Sequence, residues 1–102
     1  MPGIIAFQRH TVENCPMNNE KMKNMASEMM GNIGALLKKY GIKMVGNWTV
    51  AREHLTIIVY EASSIDAFIK LQMEPIIMKW LTQHTTEIKI AMYTEEAMKL
   101  LK

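Results

Sequence analysis

Three histidines and a single cysteine are the side chains of this 102-residue sequence whose chemistry falls near neutral pH. His10 and Cys15 share one short segment, RHTVENCP (9–16). A thiol close to a helix N-terminus has its pKa lowered, and His10 lies near enough in sequence to exchange a proton with it. An unperturbed cysteine, however, is only about 3% thiolate at pH 7. No Cys-x-x-Cys or cysteine-hydrolase signature accompanies Cys15. Free cysteine is also among the most buried residue types, so a packed thiol is the simpler reading. His54 is the candidate general base, and Asn47 is the side chain placed to stabilise a developing oxyanion. His10, Cys15, Asn47 and His54 are therefore the candidate catalytic residues.

Trp48, Tyr60, Phe68 and Trp80 fall on or beside the expected interface of sheet and helices, where aromatic side chains line pockets for flat organic ligands. Arg9, Asn47 and Tyr60 supply polar groups that would orient such a ligand. Core packing accounts for the same aromatics with fewer assumptions. His10 ends the first expected strand, His54 opens the third and His84 precedes the fourth. With strands one and three taken as parallel, His10 and His54 lie at opposite ends of the sheet. No metal site and no cofactor are expected.

The elements that must position these groups follow from periodicity and punctuation. Residues 4–10 carry strand character, with Ile5, Phe7 and Arg9 on one face and Ile4, Ala6, Gln8 and His10 on the other. After Asn14, Cys15 and Pro16 a helix begins. Its apolar stripe, Met22, Met25, Ala26, Met29, Ile33, Leu36, Leu37 and Tyr40, recurs in steps of three and four. Lys38 and Lys39 suit the negative end of its dipole, and Gly41 suits the left-handed residue that closes a helix.

Residues 42–50 alternate as a second strand, Ile42, Met44, Trp48 and Val50 against Lys43, Val45, Asn47 and Thr49, with Gly46 marking a bulge or a close approach. The short link to residues 54–61 predicts an antiparallel hairpin. Ser63-Ser64-Ile65-Asp66 resembles a capping box ahead of a helix that turns Ile65, Phe68, Ile69 and Gln72 or Met73 inward. Pro75 breaks it into segments at 64–72 and 75–82, the second packing Ile76, Ile77, Trp80 and Leu81. Residues 86–93 form strand four, Ile88, Ile90 and Met92 against Glu87, Lys89, Ala91 and Tyr93. Thr94 caps a last helix that packs Ala97, Met98, Leu100 and Leu101.

This length supports one hydrophobic core, so residues 1–102 are read as a single domain. Twelve basic and ten acidic side chains are scattered along the chain and favour no partner class. One cysteine forms no internal disulfide, and the N-terminus lacks the pattern of a secretory signal, so a cytoplasmic location is expected. No apolar run approaches the roughly 20 residues of a membrane span. Eleven methionines are the compositional oddity, and those on the helices fit a core stripe.

The resulting fold class is α+β: a ferredoxin-like β-α-β-β-α-β unit with a four-stranded antiparallel sheet, helices on one face and a short C-terminal helix. The uncovered sheet face is expected to carry Phe7, Val45, Ile58 or its neighbours, Tyr60 and Ala91, mixed with Arg9, Asn47 and Lys89. A second copy laid on that face removes a few hundred Å² of apolar area from water, worth several kcal/mol at about 25 cal/mol per Å².

The hairpin IKMVGNWTVAREHLTIIVYEA, the broken helix SIDAFIKLQMEPIIMKW and the closing strand EIKIAMY resemble the dimeric α/β-barrel superfamily, across the whole length of the chain. The likeness is to its small members of uncharacterised function. It implies a homodimer through sheet faces and a small organic ligand between sheet and helices. Relatives in that superfamily include cofactor-free monooxygenases, lactone isomerases and haem-dependent enzymes, and fold alone does not choose among them. Nucleic acid is not an expected partner, because strand three (LTIIVYEA) lacks the basic and aromatic pattern of RNA-recognition domains. A membrane surface is not expected either, since the first helix lacks a basic flank. The leading expectation is a non-catalytic small-ligand-binding or structural module. The alternative is a cofactor-free monooxygenase or isomerase acting on a small aromatic or enolic substrate.

Overall fold

The computed structural model describes residues 3–101. The elements in chain order are β1 (Gly3–Arg9), α1 (Glu20–Lys39), β2 (Ile42–Val50), β3 (Leu55–Ala62), α2 (Ile65–Gln72), α3 (Pro75–Leu81), β4 (Thr85–Ala91) and α4 (Thr94–Lys99), with one 3₁₀ turn (Ala51–Glu53) in the β2–β3 hairpin. The sheet is four-stranded and antiparallel at every pairing, in the order β2-β3-β1-β4. This α+β arrangement is compatible with a ferredoxin-like fold.

Local chemistry sets most boundaries. Asn19, not the region of Pro16, caps α1: its Oδ1 accepts from the Met22 N–H at 3.1 Å while its Nδ2 donates to the Glu13 carbonyl at 3.0 Å. That second bond fastens the β1–α1 loop to the helix start. Gly41 closes α1 with φ +66°, the left-handed conformation that glycine adopts without a Cβ penalty. Ser64 caps α2, accepting from the Ala67 N–H at 3.1 Å. Pro75 opens α3 at its first turn, where a missing N–H leaves no bond unmade. Lys39 and Tyr40 both donate to the Glu74 carboxylate and join the end of α1 to the start of α3.

The helix-covered face of the sheet carries Ile4, Ala6, Ile58, Tyr60, Ala62 and Ile42, which pack on Leu37 of α1, Phe68 and Leu71 of α2 and Ile77 of α3. The expected α1 stripe is the face turned inward: Met22, Met25 and Leu37 are buried and Ile33, Leu36 and Tyr40 half-buried. In α2, Leu71 is buried where Ile69 was expected; Ile69 is 49% exposed.

Two further expectations are corrected. Strand two carries a bulge between Met44 and Gly46, which shifts the period-2 alternation by one residue. Asn47 pairs with Ile58 and Thr49 with Thr56 on the covered face, while Trp48, opposite Ile57, lies on the uncovered face. The indole of Trp48 lies over the glycine at 46, and a Cβ there would make that exposed ring swing aside. The uncovered face therefore presents Ile5, Phe7, Arg9, Trp48, Ile57, Val59, Lys89 and Ala91; Ile58, Tyr60 and Asn47 belong to the covered face. The C-terminal helix starts at Thr94 with no side-chain cap, and its expected packing residues Met98, Leu100 and Leu101 are exposed. With α4 projecting, the molecule extends 52 × 30 × 17 Å.

No helix among the described residues is long and apolar enough to cross a membrane.

Candidate functional site

A cavity of about 270 Å³ lies between the covered sheet face and the helices. Its floor is Gln8 from β1, Asn47 and Thr49 from β2 and Thr56, Ile58 and Tyr60 from β3. Its roof is α1, through Ala26, Met29, Met30 and Ile33, and its side is Leu71, Ile77 and Trp80 from α2 and α3. The bulge in β2 is what turns Asn47 into this space.

The polar tips are few and placed by packing. Gln8 is buried at 7% exposure, and its Oε1 accepts from the indole Nε1 of Trp80 at 3.2 Å. That bond holds the Trp80 ring against the cavity and consumes one of the amide's acceptor positions. Tyr60 is 4% exposed, and burial alone pushes its phenol up to about 12, so it is a neutral donor and acceptor at physiological pH. Methionines 29, 30 and 44 give the walls unbranched, polarisable side chains that reshape around a guest.

Beside the cavity stands a second constellation. The β1–β3 ladder pairs Arg9 with Leu55 and continues one step, the His10 N–H donating to the His54 carbonyl at 3.2 Å. The rings meet, His54 Nδ1 lying 3.2 Å from His10 Nε2. His54 has φ 51°, a left-handed conformation uncommon outside glycine, in which histidine is among the enriched types. The loop after β1 turns back to bring the buried thiol of Cys15 in, so that ligand atoms of His10, Cys15 and His54 all lie within 4.8 Å of one another. His84, from the α3–β4 turn, sets its ring edge-on to His10 with centroids 5.7 Å apart and stacks on Trp80 at 4.3 Å. Its Nδ1 is 2.7 Å from the Trp80 carbonyl, which only accepts, so Nδ1 carries the proton and Nε2 the lone pair. Burial lowers the His10 pKa, reinforced by His84 and His54; burial lowers that of His84 against the opposing pull of the Trp80 carbonyl.

This cluster corrects the expectation that strands one and three run parallel. They are antiparallel neighbours, so the end of β1 and the start of β3 share one end of the sheet. A helical crossover keeps direction from β1 to β2 and the hairpin then reverses it, which makes β3 antiparallel to β1.

Of the residues expected at a ligand pocket, Asn47, Tyr60 and Trp80 line the cavity. Phe68 is buried in the core against Tyr60, with ring centroids 5.3 Å apart. Trp48 and Arg9 are on the other side of the sheet, both exposed. Among the catalytic candidates, His10, Cys15 and His54 come together, while Asn47 is separate from them in the cavity wall. Gln8, Met29, Met30 and Leu71 were missed as lining residues; the even-numbered face of β1 and the α1 stripe were the available signals. No protein-family model and no curated protein matches this sequence.

Proposed function

We propose that the protein is a small-ligand-binding module, and that two copies pair through their uncovered sheet faces in the manner of dimeric α/β barrels built from ferredoxin-like units. The observation that carries the reading is the cavity between sheet and helices, apolar in its walls and tipped by Asn47, Tyr60 and Gln72. An apolar cavity of about 150 Å³ holds one benzene ring. A space of about 270 Å³ suits a fused bicyclic aromatic compound with one or two polar atoms. Burying about 200 Å² of such a guest contributes about 5 kcal/mol, a Kd on the order of 0.1 mM.

Pairing is supported by the half-buried Ile5, Phe7, Ile57 and Val59, which form the middle of a sheet face that no described helix covers. Charges of both signs, Arg9, Glu87 and Lys89, share that face, so self-association is not opposed by a single-sign field.

The catalytic alternative, a cofactor-free monooxygenase or isomerase, needs a base at the ligand. His10, His54 and His84 are not among the lining residues; His84 meets the cavity only through Trp80. Binding without turnover is the better supported reading.

Calorimetric titration with indole tests it, comparing the wild-type chain with Ala26→Trp, which fills the roof of the cavity. The expected result is saturable binding by the wild type and at least tenfold weaker binding by a variant whose circular dichroism is unchanged. Equal affinity in both proteins would remove the cavity from the account.

A further inference from the structure

The structure assigns a divalent transition-metal site, fit for zinc, to the end of the sheet where His10, Cys15 and His54 converge, a site separate from the proposed ligand cavity. Zinc takes nitrogen at about 2.0–2.1 Å and thiolate sulfur at about 2.3 Å in tetrahedral geometry, which sets neighbouring nitrogens about 3.3 Å apart and nitrogen and sulfur about 3.5 Å apart. The two imidazole nitrogens stand 3.2 Å apart, already the length of a tetrahedral edge. All three ligand atoms lie within 4.8 Å, so the sulfur needs to close by little more than 1 Å at most, a movement within the range of one loop side chain.

Three features prepare the site. The residues come from three separate places in the chain, the end of β1, the β1–α1 loop and the turn into β3, so one ion would tie that loop to the sheet. His54 holds a left-handed backbone at the position that aims its ring at His10, the kind of local strain that accompanies built sites. His84 sets its ring edge-on to His10 at 5.7 Å between centroids, and its Nδ1–H is committed to the Trp80 carbonyl, the carbonyl-oriented arrangement seen for metal-bound histidines. Two imidazoles and one thiolate suit zinc, cobalt or copper better than magnesium or calcium, which prefer oxygen. Three protein ligands leave the fourth tetrahedral position to water, as in catalytic zinc sites.

The 3.2 Å separation of His10 Nε2 and His54 Nδ1 accommodates one ring N–H between them. On binding, both atoms must offer lone pairs, so that proton moves through solvent to the other nitrogen of the same ring. The Cys15 thiol loses its proton to solvent, and one proton is released per ion.

Cobalt(II), added to the reduced 102-residue chain, is the probe. The expected result is one equivalent bound with a thiolate-to-cobalt charge-transfer band and the strong visible bands of tetrahedral cobalt, both abolished by one equivalent of zinc. Cys15→Ser should lose the charge-transfer band, and His54→Asn, which tolerates the left-handed backbone, should weaken binding at least tenfold. Zinc should raise the melting temperature of the wild type and not of His54→Asn. X-ray absorption of the zinc-loaded wild type, which needs no variant to fold, should show one sulfur and at least two nitrogens around the ion. A shell of oxygen and nitrogen alone, or unchanged cobalt spectra in Cys15→Ser, would overturn the assignment.

Discussion

Raising the pH isolates the contribution of one buried phenol. Tyr60 is 4% exposed at the cavity floor and its pKa stands at about 12, against the ordinary value of 10.0 that it regains on unfolding. Because the folded value is the higher, the unfolded chain releases this proton first. The stability that Tyr60 contributes is therefore complete below about pH 10 and drains away as pH rises through about 12. At pH 11 the loss is about 1 kcal/mol, and above pH 12 it approaches about 2 to 3 kcal/mol, on the order of 1 kcal/mol per pKa unit. Urea unfolding of the wild type and Tyr60→Phe at pH 9 and pH 11 measures it, since every other titrating group cancels in the comparison. The wild type should lose about 1 kcal/mol relative to the variant between those pH values. Parallel pH profiles for the two proteins would show that Tyr60 ionises without penalty and is not held in a closed, poorly solvated floor.

Two other expectations concern packing. Thr86 Oγ1 is buried with no hydrogen-bond partner, the one such atom among the described residues. Thr86→Val removes a desolvated hydroxyl at nearly constant shape and should stabilise by about 1 kcal/mol, a rise of roughly 4–8 °C in Tm for a domain this size; an unchanged or lower Tm refutes it. Light scattering should give twice the chain mass for the wild type and a single-chain mass for Phe7→Lys, which sets a charge in the middle of the uncovered sheet face. A monomeric wild type at micromolar concentration would contradict the proposed pairing.

Much of the fold was legible because its signals are local. The spacing of Met22, Met25, Ala26, Met29, Ile33 and Leu37 can be satisfied only by one face of a helix, and Pro75 and Gly41 interrupt the chain for steric reasons that no context removes. Gly46 was recognisable as a bulge or close approach and is both. The bulge also exchanges the faces of Asn47 and Trp48, which the plain alternation of the sequence does not reveal, so the pocket gains the asparagine and loses the tryptophan. The histidine cluster was missed for a different reason, an error in strand direction. Nothing in the spacing of 10, 54 and 84 announces proximity, and only the β1–β3 register places the rings together. Met98, Leu100 and Leu101 stay exposed and only Ala97 of α4 is half-buried, and periodicity cannot report whether a partner surface faces an apolar stripe.

The most direct test of the ligand cavity uses the methionines that line it. With carbon-13 labelled methionine methyl groups, addition of indole should shift the resonances of Met29, Met30 and Met44 and leave those of exposed Met17, Met92 and Met98 in place. Shifts confined to the exposed methyls, or none at all at millimolar indole, would mean that the space between sheet and helices does not take a guest, and the binding function would fall with it.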